Sequence, residues 1–193
     1  MKIAIVKYNA GNIHSVRLAL QRMGIEPIVT SDPEQIQSAD KVIFPGVGEA
    51  RSAMNFLTSQ NLIQTIINLK QPVLGICLGL QLLCRHSEEN DTPCMSVFPA
   101  EVKKFPPQDK VPHMGWNTIN VLKGDLFKNI NDGAYVYFVH SYYVELAETI
   151  TAKTEYILPF SAAMQKDNFF AVQFHPEKSG RTGETILNDF IKL

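Results

Sequence analysis

Apolar positions alternate between two periods along the first half of the chain. Ile3 to Val6 is a short, fully apolar run of the kind buried in a parallel sheet. After the loop Tyr8-Asn9-Ala10-Gly11-Asn12, a helical stripe sets Ile13, Val16, Leu20 and Met23 three and four residues apart, and Gly24 ends it. Pro27 to Thr30 reads as the next strand. Asp32-Pro33-Glu34-Gln35 reads as an N-cap, a first-turn proline and a capping-box glutamine. Val42 to Phe44 is a third strand, running into Pro45-Gly46-Val47-Gly48. Helical segments around 50–57 and 62–69 lead to a fourth strand, Val73 to Ile76. Strands alternating with helices predict right-handed crossovers and a doubly wound, mostly parallel sheet with helices on both faces.

The second half follows another pattern. The proline- and lysine-rich run from Lys103 to Pro112 reads as a surface excursion, and Tyr135 to Val144 as an aromatic-rich β run. Ala162 to Gln165 and Phe169 to Phe174 read as a hairpin turning at Lys166-Asp167-Asn168. A last helix, Thr182 to Leu193, presents Ile186, Leu187, Phe190 and Ile191 to a core. The expectation is an α/β fold of flavodoxin-like type with an added antiparallel portion, one domain over residues 1–193.

Composition narrows the function. The 193 residues are 45% hydrophobic and 19% charged with a net charge of −1, ordinary for a soluble globular chain. No basic excess suggests a nucleic-acid footprint, and no apolar run approaches the roughly 20 residues of a membrane span. A small-molecule substrate is expected, with no nucleic acid and no membrane. The three cysteines, Cys77, Cys84 and Cys94, lack the spacing of metal or thioredoxin-type sites, so no metal is expected and a reducing cytoplasm is the natural setting.

Chemistry is concentrated at Gly75-Ile76-Cys77-Leu78-Gly79, which follows an apolar strand and precedes a helical stripe of Leu80, Leu83 and Cys84. That is the strand-turn-helix context of a nucleophile elbow with cysteine as the nucleophile. Glycines two residues either side let strand and helix backbones approach closely. The turn places Cys77 at a helix N-terminus, which favours the thiolate, and frees the Leu78 N–H for an oxyanion. Cys84 reads as core, and Cys94 has no evident role.

A thiol needs a base, and the base needs orienting. His175 closes an apolar strand, and in extended chain Glu177 lies on its face at i+2. His140 also ends an apolar strand and is the runner-up base, but Tyr142 stands at its i+2 position. His14 and His86 read as surface helical residues. The assignment is Cys77 as nucleophile, His175 as base and Glu177 as orienter.

Pro45-Gly46-Val47-Gly48, the Cys77 elbow with Gln81, and His175-Pro176-Glu177 stand in the chain order of the triad class of glutamine amidotransferases, which the whole chain resembles. Pro112-His113-Met114-Gly115-Trp116-Asn117, Tyr135 to Tyr142 and His175 to Gly180 are similar to the glutaminase subunits of imidazole glycerol phosphate synthase. The resemblance implies that L-glutamine is hydrolysed without a cofactor. It also implies that the ammonia is channelled to a (βα)8-barrel cyclase, a heterodimer partner in histidine biosynthesis. The resemblance implies, too, that the isolated glutaminase is nearly silent until the loaded cyclase docks, and the Gly-Val-Gly loop is a place for that switch. A paralogue feeding another synthase, such as one amidating a surface sugar, is the alternative. The resemblance further implies that Val47 and Gly48 join Leu78 in the oxyanion hole, and that Gly46, Gly79, Gln81, Glu89, Ser141 and Tyr142 hold glutamine. Asn12, His113, Trp116, Asn117, Tyr137 and Lys178 match positions facing the cyclase. Ser141 replaces a threonine seen in some members and keeps the hydroxyl. Gly115 and Asn117 beside Trp116 suggest a loop there.

Overall fold

The computed structural model describes residues 1–9 and 11–193, so Ala10 of the expected loop lies outside the described residues. Strands β1 (Ile3–Val6), β2 (Ile28–Thr30), β3 (Lys41–Gly46) and β4 (Val73–Cys77) alternate with α1 (Ile13–Arg22), α2 (Pro33–Gln37), α3 (Ala50–Ser59) and α4 (Leu62–Ile67). Helix α5 (Leu78–Leu83) leaves β4 directly. The short strands β5 (His86–Ser87), β6 (Thr92–Pro93) and β7 (Glu101–Lys104) follow, then β8 (His113–Ile119), β9 (Ala134–His140), β10 (Tyr142–Val144), β11 (Ile150–Tyr156), β12 (Leu158–Lys166) and β13 (Phe169–Val172). The chain closes with α6 (Gly180–Ile191).

The main sheet runs β11-β12-β13-β4-β3-β1-β2. Its pairs from β13 to β2 are parallel, while β12 pairs antiparallel with β13 and with β11. Along each parallel strand, successive residues enter different cores, as the two-residue side-chain period requires. Ala4, Val42, Phe44 and Val73 pack with α2, α3, α4 and α5 on one face. Ile3, Ile5, Ile43 and Leu74 pack with α1 and α6 on the other. This is the doubly wound arrangement expected from the alternation.

Four local expectations are corrected. The run from Lys103 is not wholly a surface excursion: Lys103 and Lys104 belong to β7, which pairs with β10, and Phe105 is buried against the Tyr143 ring. The aromatic run 135–144 divides at Ser141, so β9 joins a ribbon with β8 while β10 joins the small sheet. Trp116 lies in β8 and not in a loop, because Trp116 and Tyr137 are paired across that ribbon. His86 lies in β5, since helix α5 stops at Leu83.

Local propensity explains the elements that match the sequence pattern. Asp32 caps α2 by accepting the Glu34 N–H at 2.9 Å, with Pro33 in the first turn. The 162–174 hairpin turns through Asp167 at φ 52°. Packing then imposes one requirement that propensity does not. A Cβ on Gly79 would collide with the Phe44 carbonyl of β3, so α5 can lie this close to the sheet only with glycine there. Gly79→Ala is therefore expected to lower the unfolding free energy by ~1–3 kcal/mol, the usual range for overpacking, as read from urea denaturation. An unchanged midpoint would mean that α5 moves off the strand without cost.

Candidate active site

Three parallel strands end at one crevice, the carboxyl edge where ligands bind in open α/β sheets. In register, Gly46 of β3 pairs with Cys77 of β4, and Val172 of β13 pairs with Ile76. The loop after Pro45, the Cys77 elbow and the segment reaching His175 therefore leave the sheet side by side.

Cys77 sits at φ 54°, ψ −106°, a conformation strained for a residue with a Cβ. Such strain persists only when the surroundings enforce it, here the strand before Cys77 and the helix fixed by Gly79 after it. Leu78 N–H opens α5 and is one of the donors that a helix leaves without an internal partner. The Cys77 sulfur meets the Gln173 amide Nε2 at 3.6 Å and the Val139 carbonyl at 3.9 Å.

His175 is fully buried and its Nδ1 lies 2.8 Å from Glu177 Oε1, with both side chains shielded from solvent. The carboxylate accepts the Nδ1–H, which leaves Nε2 for the nucleophile side. That nitrogen is buried and has no hydrogen-bond partner among the described residues. Burial opposes a charged ring, but the nearby Cys77 sulfur and the Glu177 carboxylate outweigh it and raise the His175 pKa to about 10. The backbone is fixed as well: His175 N–H donates to the Tyr137 carbonyl at 2.9 Å, and Ser179 Oγ donates to the His175 carbonyl at 2.6 Å.

A cavity of about 160 Å³ opens over Cys77, lined by Val47, Gly48, Leu78, Gln81, Glu89, Val139, His140, Ser141 and Tyr142. That is roughly ten times or more the ~10–15 Å³ of such space that one water needs, room for an amino-acid-sized group. Gln81 is buried and donates to the Tyr142 carbonyl at 3.0 Å and to Gln173 Oε1 at 3.1 Å. Glu89 accepts the Ala50 N–H at 2.8 Å, and burial raises its pKa. Gly48 takes φ 134°, where only glycine is unstrained, and the Val47 carbonyl accepts the Gly11 N–H at 3.0 Å.

Several expected positions fall elsewhere. Gly46 and Gly79 do not line the cavity: Gly46 lies under the Tyr8 hydroxyl, which donates to Pro45 O at 2.7 Å, and Gly79 packs on Phe44. Asn12 does not point outward, because its amide donates to Glu177 Oε1 and lies 3.3 Å from His175 Nδ1. His113 is buried, stacked on Tyr156 at 4.1 Å and on Phe138 at 4.8 Å, so it cannot face a partner. Asn117 is half-buried, and its amide bonds His113, Glu155 O and Thr118 N–H. The physical reason is strand alternation: once 113 and 117 face inward, 114 and 116 must face out. Met114 is 62% and Trp116 55% exposed, with Tyr135 60% exposed across the ribbon. Tyr137 packs edge-on to Trp116 at 6.0 Å, and Lys178 is exposed.

His140 is no base for Cys77. Its Nδ1 faces the Tyr142 carbonyl at 2.7 Å and its Nε2 faces His113 at 3.1 Å, and burial lowers its pKa to about 3. Cys84 is core, and Cys94, its pKa raised by burial to about 12, lies outside the cavity. Sequence reasoning missed Gln173, Tyr8, Ser179 and Met114. Gln173 stands two residues before His175 on an extended segment, so the same alternation that picked Glu177 could have found it.

Comparisons with known proteins agree with this geometry. The glutamine amidotransferase class-I family model matches residues 5–193. The imidazole glycerol phosphate synthase subunit HisH of Bacteroides thetaiotaomicron is 58% identical over 196 residues, covering all of both chains. The subunit of the same name from Idiomarina loihiensis is 44% identical, covering all of this chain and 98% of its own. A solved glutamine amidotransferase superposes with a TM-score of 0.77 at 18% identity, covering all of this chain and 98% of its own, which speaks for the fold alone. A fold, an elbow cysteine and a His–Glu pair at the sheet's carboxyl edge thus coincide with full-length similarity, and the chain belongs to the class-I glutamine amidotransferase family, among the HisH subunits of imidazole glycerol phosphate synthase.

Proposed function

We propose that the chain hydrolyses L-glutamine to glutamate and ammonia as the glutaminase subunit of imidazole glycerol phosphate synthase, and that it delivers the ammonia to a (βα)8-barrel cyclase. The observation that carries this reading is Cys77 at a strained elbow, beside a buried His175–Glu177 pair, beneath a cavity sized for an amino acid.

Cys77 sulfur attacks the side-chain amide carbon, and the carbonyl electrons move to oxygen. Leu78 N–H and a loop N–H at Val47–Gly48 receive that oxyanion. His175 hands its proton to the amide nitrogen, the C–N bond breaks and ammonia leaves, with the γ-glutamyl thioester remaining. Nε2 of the neutral ring then takes a proton from water, whose oxygen attacks the thioester carbon and releases glutamate and the thiol. Glu89 and the Ser141–Tyr142 wall hold the ammonium and carboxylate ends of glutamine.

The loop gives this reaction a resting state. While the Gly11 N–H holds the Val47 carbonyl, the Val47–Gly48 peptide is fixed in one orientation, and turning it breaks that bond. The exposed Met114, Trp116 and Tyr135 form the surface a barrel would cover. That ribbon is tied to the triad, since the Tyr137 carbonyl accepts His175 N–H and Trp116 lies over Gly180.

Glutamate release should be weak alone, rise strongly with the ligand-loaded cyclase and vanish in Cys77→Ala. Equal turnover without the cyclase would identify a stand-alone hydrolase. Truncation of a central aromatic anchor typically costs ~2 kcal/mol or more, so Trp116→Ala is expected to weaken cyclase binding by about 30-fold in calorimetry; unaltered affinity would place the interface elsewhere.

The His175 pKa is raised above its unfolded value of about 6.5. Its contribution to stability is therefore fully present below that pH and is lost as pH rises through about 10. Imidazole NMR should find the ring still protonated at pH 8, and Glu177→Gln should lower its midpoint. A midpoint that ignores Glu177 would remove the orienter from the site.

A further inference from the structure

Between the β8–β9 ribbon and the cavity lies a run of polar side chains that the hydrolysis mechanism does not use. Asn117 Oδ1 accepts the Thr118 backbone N–H at 2.8 Å, which fixes the amide so that Nδ2 carries the outgoing N–H groups. One goes to the Glu155 carbonyl at 2.9 Å and the other to His113 Nε2 at 3.3 Å. Since Nε2 of His113 accepts, its Nδ1 must hold the proton, and Nδ1 lies 3.1 Å from His140 Nε2. His140 therefore also carries its proton on Nδ1, which donates to the Tyr142 carbonyl at 2.7 Å.

At the far end the same logic applies. Gln81 Nε2 donates to the Tyr142 carbonyl and to Gln173 Oε1, which leaves Gln173 Nε2 as the group facing the Cys77 sulfur at 3.6 Å. Two chains of fixed polarity thus meet on one carbonyl, the Tyr142 oxygen. Each imidazole must be neutral: a second proton on His113 would set its Nε2–H against the Asn117 amide N–H, and one on His140 would set its Nε2–H against the His113 Nδ1–H. Burial supplies this: the pKa falls to about 4 at His113 and to about 3 at His140.

We propose that His113 and His140 are positioning residues for the glutaminase reaction: as a pair of neutral Nδ1–H imidazoles they anchor the Tyr142 carbonyl, and through it the Ser141–Tyr142 wall and the Gln81 amide, in the geometry that binds glutamine. The inference rests on the glutaminase reading. His140 borders the cavity, but both of its ring nitrogens are taken, by His113 and by the Tyr142 carbonyl. Tyr142 and Gln81 line the cavity, and the carbonyl between them is the one backbone atom that both chains hold.

The test uses the full chain and two readouts. Nitrogen-15 NMR of the imidazoles is expected to find both His113 and His140 as Nδ1–H tautomers near neutral pH. His113→Phe keeps an aromatic ring to stack on Tyr156 and Phe138 but removes both ring nitrogens. It should release His140 into exchange between tautomers and raise the KM for glutamine about tenfold, the scale of one lost hydrogen bond, with kcat changed less than about threefold. KM is measured with the loaded cyclase present. An Nε2–H tautomer or a protonated ring at either histidine in wild type would overturn the proposal, as would an unchanged KM in His113→Phe. If wild type itself releases no glutamate, the glutaminase reading fails while the tautomers still decide the hydrogen-bond chain. A His113→Phe chain that does not fold leaves that decision to the wild-type spectrum.

Discussion

Helix α5 must lie against β3 closely enough that the Gly79 Cα faces the Phe44 carbonyl, and this one contact fixes the rest of the site. It forces the chain to reverse between β4 and α5 within a single residue, and Cys77 is held at positive φ as a result. The thiol is presented at the strand end, and Leu78 N–H opens the helix beside it. The register of β4 with β3 and β13 then delivers the Gly46–Gly48 loop on one side and His175 on the other. The site is built at the sheet edge because that is where three parallel strands release their loops together.

Around this edge the fold distinguishes three buried histidines by what each is given. His175 has a carboxylate on Nδ1 and the thiol side on Nε2, so its charge is favoured against burial. His113 and His140 have each other, an amide and a carbonyl, all neutral, so burial wins and the rings stay uncharged. The same side chain thus serves as proton carrier in one place and as a fixed donor–acceptor link in the other. Partner chemistry, not depth, separates them.

The β8–β9 ribbon connects the two. Its outer face exposes Met114, Trp116 and Tyr135, and its inner face holds His113 and Asn117. Its backbone accepts the His175 N–H at Tyr137. A surface suited to a partner and the backbone of the base are therefore one piece of structure.

Whatever depends on local spacing is legible in the residues alone. The elbow at Cys77 follows from an apolar strand, two glycines and a helical stripe, and Glu177 follows from the period of extended chain after His175. The alternation of the first half specified helices on both faces of a parallel sheet, because each crossover needs both elements in order. Packing between distant segments sets the facing of the remaining residues. His113 turned inward to rings from β9 and β11, Asn12 reached the triad from the first loop, and Gln173 met Gln81. A two-residue period states that neighbours face opposite ways, but which way is inward is set only when another layer of the molecule packs against the strand.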